Sequence, residues 1–341
     1  MSWMNQLPAG PRESGSGPAV VAFGGGHGLY ASLSALRLMS DRLTAVVTVA
    51  DDGGSSGRLR HEMDVLPPGD LRMALSALCD DSDWGRTWRD VLQHRFRTGG
   101  ELDQHAVGNL LIVALWELLG DPVQGLDWVG RLLGARGRVL PMASVPLTIE
   151  ADIVDDGPDG AVAGQDAIAH VVRGQSAVAI APGRVRKLRL LPDDPPACPE
   201  AVAAVDSADW VVLGPGSWFT SVLPHLLVPE LSAALHRTAA RRCVTLNLRP
   251  TGDPHAMTTL EHLSALQDHA PDLRIDVVIA DPSAIDDLDA MQLQVRSMGA
   301  QLLLRQVQVG DGTARHDALR LAAALRDAFE GFLGDVGTAS R

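Results

Sequence analysis

Three glycine-rich stretches in this chain consist of residue types that bind anions or polyols. The fullest is Asp51-Asp-Gly-Gly-Ser-Ser-Gly-Arg58. Two carboxylates at a strand end can hold ribose hydroxyls or a divalent cation. Gly53, Gly54, Ser55 and Ser56 supply donors, and Arg58 can grip a phosphate as a two-pronged fork. A solvated acidic turn accounts for the aspartates, but not for glycines, serines and an arginine in one string. The second stretch is Gly24, Gly25, Gly26, His27 and Gly28. Glycines there let the backbone approach a ligand and aim free amides at phosphate. It departs from the dinucleotide fingerprint because Leu29 stands at the third glycine, and taken alone it reads equally as a tight turn. The third, Gly214-Pro-Gly-Ser217, is followed by Thr220 and Ser221 as further hydroxyl donors. Trp218 and Phe219 beside it can either stack a base or pack inward.

Weaker candidates surround these. Asp70 follows Pro67-Pro-Gly and suits a helix start, which leaves Arg72 on the first turn. His105 and Asn109 lie one helical turn apart, so base-and-amide chemistry and ordinary capping are both open. Asn247 is polar inside an apolar run and needs a partner. Arg315 precedes the last helix as a candidate phosphate or base contact. Lys187 is the only lysine, so no Walker-type lysine follows any glycine loop. Cys79, Cys198 and Cys243 are too far apart for a zinc or disulfide pattern. No nucleophile–base pair stands out.

Composition narrows the class. The chain has 341 residues, 46% hydrophobic, with a net charge of -13. Such a balance repels nucleic acid and anionic lipid, so no nucleic-acid partner is expected. No apolar stretch reaches membrane-span length and no signal-peptide pattern opens the chain, which predicts a cytoplasmic protein.

The elements that must carry the loops follow from hydrophobic patterning. Ala19–Phe23, Thr44–Ala50 and Trp210–Leu213 read as apolar strands, each ending at one of the three stretches. Val244–Leu248, Ile275–Ala280 and Leu302–Val309 read as further parallel strands, with a terminal helix over roughly 316–333. The expected fold is α/β: a Rossmann-like parallel sheet with helices on both faces and a β-rich insertion. Residues 19–137 and 201–334 form the single Rossmann-like domain. Residues 138–200, with short runs such as Val171-Val and Ala177–Ala181, form the insertion. Residues 1–18 and 335–341 read as tails, the first disordered. Dimerisation, as a homodimer, is an expectation by analogy with such sheets.

Together these motifs resemble one family. Gly24–Leu29, Val49–Leu59, Pro67–Arg72, Gly108-Asn109, Leu213–Ser217 with Thr220-Ser221, and His316-Asp317 occur in the order found in the YvcK-like gluconeogenesis factors, whose mycobacterial members are called CuvA. The resemblance spans about residues 19–328. It implies binding of UDP-sugars, notably UDP-N-acetylglucosamine, by the Gly24–Gly28 loop, Asp51–Arg58, the Gly214–Ser217 loop and Arg315. It also implies a regulator, rather than an enzyme, that supports cell shape and peptidoglycan supply during gluconeogenic growth, through a protein partner in amino-sugar or cell-wall synthesis. A related branch, CofD, is a metal-dependent transferase that moves a phospholactyl-type group from a guanosine diphosphate donor to a deazaflavin. In that alternative Asp51 and Asp52 would hold Mg²⁺, and Arg58 or Arg72 would offset charge. The chain departs from the family at His27, often threonine, and at Thr251-Gly-Asp-Pro254, where the family has Pro-Gly-Glu-Thr with an aromatic residue soon after. The family's late tyrosine has no counterpart, because Tyr30 is the only tyrosine. A nicotinamide dehydrogenase fits worst, since the fingerprint is off-pattern and no acid/base domain is evident.

Overall fold

The computed structural model describes residues 16–154, 169–248 and 257–332. The Thr251–Pro254 stretch, residues 1–15 of the expected tail and the 335–341 tail lie outside them. In chain order the elements are β1 (Val20–Gly24), α1 (Gly26–Leu36), β2 (Leu43–Val47), α2 (Gly54–Met63), α3 (Pro68–Leu78), α4 (Asp83–Gln93), α5 (Val107–Leu119), α6 (Pro122–Leu133) and β3 (Arg138–Pro141). Then come β4 (Thr148–Val154), β5 (Ala169–Arg173), α7 (Gln175–Ile180), β6 (Arg184–Leu191), α8 (Pro199–Asp206) and β7 (Trp210–Leu213). The last are α9 (Pro229–Arg237), β8 (Arg241–Thr245), α10 (Thr259–His269), β9 (Val277–Ala280), α11 (Leu288–Ser297), β10 (Gln301–Leu304) and α12 (Ala318–Glu330).

Seven strands form one sheet in the order β10-β9-β8-β7-β1-β2-β3, and every pairing in it is parallel. Strands covered on both faces must be apolar throughout, and β1, β7 and β9 are buried at every position. The chain first builds outward from β1 to β2 and β3, then returns to β7 and builds the other way. The β1/β7 boundary is therefore the switch point, where a crevice opens beyond the carboxyl ends of the strands.

Three expectations change at the edges. Arg138–Pro141, expected to begin the insertion, pairs parallel with β2 and completes the main sheet. The insertion proper is the antiparallel sheet β5-β4-β6. Ala177–Ala181, expected as a short strand, lies largely within α7, because Gly174 at φ 102° turns the chain into a helix. Ser16–Pro18, assigned to the disordered tail, are tied to Ser40 and Asp41, with Ser40 Oγ donating to the Pro18 carbonyl at 2.7 Å.

Candidate functional site

The β1 and β7 loops meet at the switch point. Gly28, in the first turn of α1, lies so close to the β7 loop that a Cβ there would overlap the Pro215 carbonyl oxygen. The same Cβ would lie 2.5 Å from Gly216 Cα. Only a residue with no side chain lets the helix start approach that loop. Gly216 itself has φ 140° and Gly214 φ 73°, conformations that favour glycine. Asn247, just past β8, holds the second loop by both ends: its Oδ1 accepts from Gly216 N–H and its Nδ2 donates to Gly216 carbonyl, each at 2.8 Å. That is the partner its polar side chain required.

These loops floor an open cleft of ≈ 1930 Å³. His27, Gly28, Gly216, Ser217, Thr220, Asn247 and Arg315 all line it. His27 and Ser217 are exposed, and Thr220 is buried with its carbonyl accepting from Gln175 Nε2 at 3.0 Å. Arg315 stands exposed at the rim, bonded to Asp311 at 2.7 Å and to Thr313 at 3.0 Å. The far wall is the insertion, from Val178 to Arg186, and the near wall is α10. Arg184 reaches across to Glu261 at 3.5 Å.

A second cluster lies under the β1 loop. A Cβ on Gly25 would overlap Asp70 Oδ2 and lie 2.5 Å from Thr48 Cγ2, and Asp70 accepts a hydrogen bond from Gly26 N–H. Burial, then the neighbouring Asp51 charge, pushes the Asp70 carboxyl up to about 7. Asp51 is raised too, chiefly by burial, although the Gly53 N–H at 3.0 Å and Ser56 stabilise its charged form. Asp51 is therefore close enough to Asp70 for its charge to be felt there.

Asp52 also raises Asp51, more weakly than burial does, so these two carboxylates are neighbours as well. Asp52 Oδ1 accepts from Ser176 N–H at 2.9 Å, which pins the start of α7 over the β2 loop. Each of the two carboxylates thus has a main-chain donor of its own, Gly53 N–H for Asp51 and Ser176 N–H for Asp52. Among the described residues no group of three or more His, Cys, Asp or Glu is placed to hold a metal.

Several expected ligand contacts turn inward. Ser55 Oγ is a buried hub for His105 Nδ1 at 3.1 Å, Ala106 N–H at 3.2 Å and Asn109 Nδ2 at 3.1 Å. Ser56 Oγ accepts from Gly69 N–H at 3.0 Å, and Asn109 Oδ1 accepts from Arg72 Nε at 2.9 Å. Arg72 is buried, with Gln93 as its other partner. Arg58 points away, donating to the carbonyls of Asp103 at 2.7 Å and Glu101 at 3.2 Å. Gly53 and Gly54 cap and begin α2, with Gly54 exposed at φ 48°. The Asp51–Arg58 string thus builds the joint between α2, α3 and α5, and its side chains are largely engaged there. His262, Thr48 and Thr245 carry no motif that marks them in the sequence.

The family model described as 2-phospho-L-lactate transferase CofD matches residues 20–308. The chain belongs to the CofD family. Within it, the chain is 51% identical to a provisionally named gluconeogenesis factor of Mycobacterium tuberculosis, over 90% of this chain and 89% of the relative. It is 33% identical to the gluconeogenesis factor of Bacillus subtilis, over 92% of this chain and 98% of that one. A crystal structure of a UPF0052-family protein from Bacillus halodurans superposes with a TM-score of 0.77 at 32% identity. That match covers 91% of this chain and 99% of the other. Among the described residues no helix is long and apolar enough to cross a membrane.

Proposed function

We propose that this chain binds a UDP-sugar, UDP-N-acetylglucosamine foremost, and acts in the cytoplasm as a regulator that couples carbon supply to cell-wall synthesis and cell shape under gluconeogenic growth. Its output would pass through a protein partner in amino-sugar or cell-wall synthesis. One observation carries the binding step: the contact of Gly28 with Gly216 at the switch point, which sets two glycine loops side by side along the floor of one cleft. Amides at a helix start and in a glycine turn suit a pyrophosphate. The cleft beyond is of a size to take the nucleoside and sugar. Similarity to the gluconeogenesis factors supports the regulatory role. Calorimetry with UDP-N-acetylglucosamine, UDP-glucose, GDP and NADP tests the reading. Selective, tight binding of a UDP-sugar is expected, and equal, weak, salt-sensitive binding of all four would refute it.

A transferase is the second reading, favoured by the Asp51–Asp70 pair. A carboxyl that titrates near 7 beside a phosphate loop can accept or deliver a proton at neutral pH. The expected result is turnover of a nucleotide diphosphate donor with a deazaflavin acceptor, lost in Asp70→Asn. Tight UDP-sugar binding with no product formed would count against it.

A further inference from the structure

Five buried side-chain polar atoms among the described residues have no hydrogen-bond partner. Four of them gather around the site: Thr48 Oγ1 beyond β2, Thr245 Oγ1 at the end of β8, Trp218 Nε1 beyond β7, and His262 Nδ1 on α10. Folded proteins pair nearly all such atoms, because a buried donor or acceptor left unpaired has lost its water without a replacement. Thr48 and Thr245 lie against the two glycine loops, near Gly25 and Gly214. Trp218 and His262 form a unit of their own.

The two rings stack with centroids 5.4 Å apart and planes 18° apart. They are 2% and 5% exposed, yet both line the cleft next to Gly216 and Ser217. Two phenyl rings would fill that space with no orphaned nitrogen, so packing alone does not account for the residue types. Indole N–H only donates, whereas a neutral imidazole offers one donor and one acceptor. Burial holds His262 down to about 4, so its ring is neutral at physiological pH. The stacked pair thus leaves a donor at Trp218 Nε1 and a ring nitrogen at His262 Nδ1 without partners, a set that complements a group carrying both a carbonyl and an N–H.

We propose that Trp218 and His262 are the specificity-determining pair of the cleft and read an amide or imide of the bound nucleotide sugar, the indole N–H donating to its carbonyl and His262 Nδ1 accepting its N–H. This rests on the nucleotide-sugar reading above. Both nitrogens are screened from solvent, so the rim must give slightly as the ligand enters, and the paired contact repays that movement.

Calorimetry on the full chain tests it with the wild type, Trp218→Phe and His262→Phe, against UDP-N-acetylglucosamine, UDP-glucose and inorganic pyrophosphate. Thermal melting of each protein runs alongside. Both variants keep a ring in the stack and are expected to lose about tenfold in affinity for amide-bearing ligands, with pyrophosphate binding unchanged. A loss confined to UDP-N-acetylglucosamine places the contact on the acetamido group. An equal loss for both UDP-sugars places it on the uracil edge. Unchanged affinities, or equal losses for all three ligands with a lowered Tm, would overturn the proposal and leave nucleotide binding intact. A wild type that binds none of the ligands would overturn both readings.

Discussion

Gly28→Ala puts the closeness of the two loops to a direct test. An added Cβ would lie 2.5 Å from Gly216 Cα, against the 3.4 Å at which ordinary contact begins, so the two backbones must part by at least about 0.9 Å there, and by more at the Pro215 carbonyl oxygen. The obstructing atoms are main chain and cannot rotate away. Forced overpacking of this kind costs about 1–3 kcal/mol. Alanine in a helix recovers roughly 0.5–1 kcal/mol relative to glycine. The balance is a loss of about 1 kcal/mol, read as a fall of roughly 1–2 °C in Tm for a chain of this length. Binding should suffer more. A gap of that size breaks at least one charge-assisted hydrogen bond to a shared pyrophosphate, about 1.5–3 kcal/mol, or roughly ten- to a hundredfold in Kd. Gly130→Ala on α6 is the contrast, because its Cβ would meet nothing closer than Leu75 Cδ2 at 3.8 Å. That variant should be slightly more stable and bind as wild type. A Gly28→Ala protein that melts at or above wild type would refute the close approach of the two loops. A destabilised variant whose nucleotide binding is untouched would refute their shared role in binding.

Asp70→Asn should change how stability depends on pH. The native carboxyl titrates near 7 and the unfolded one near 3.8, so the folded state holds the extra proton between those values. This residue's contribution therefore declines as pH rises from about 4 to about 7. Urea melts at pH 5 and pH 8 should show the Asp70→Asn variant gaining on wild type at the higher pH, and an identical profile would refute the assignment. Asn247→Ala strips Gly216 of both main-chain partners, and should cost about 1–3 kcal/mol and weaken nucleotide binding in calorimetry. Ser55→Ala removes the acceptor for Ala106 N–H and Asn109, and should lower Tm by a similar free energy, with fluorescence-monitored melting as the check. Asp52→Ala releases Ser176 N–H, so amide exchange should rise across 175–180 while the β1 loop keeps its protection.

The parallel sheet was legible because a strand buried on both faces is apolar without interruption and here ends in glycine. Trp210–Leu213 has the bounds read from its sequence, and β1 and β2 differ by a residue or a few. Two assignments went astray where composition is ambiguous. Arg138–Pro141 is a four-residue edge strand, and its place beside β2 depends on a pairing distant in sequence. Ala177–Ala181 mixes alanine with branched residues over too short a run to reveal its period. Around the site, residue types were easier to read than directions. The string from Asp51 to Arg58 advertises donors and acceptors, but a local pattern does not say whether Ser55 faces a ligand or His105. Nor does it show that Arg58 turns toward the 101–103 carbonyls. Asn247 was the favourable case, because a polar residue in an apolar run demands a partner. His262 is one polar residue on a helix, and only the fold places it against Trp218.

The pairing of β1 with β7 also bears on how the protein is made. Val20 and Trp210 are neighbours in space but lie in opposite halves of the chain. While the ribosome is still building the first half, the nascent polypeptide carries one glycine turn with nothing opposite it. The second turn joins only once Ser217 has been synthesised and the newer strand has docked. Such long-range closure is slow. A protein cut between the halves would hold each turn separately, and the recess they share would not exist until the fragments recombined.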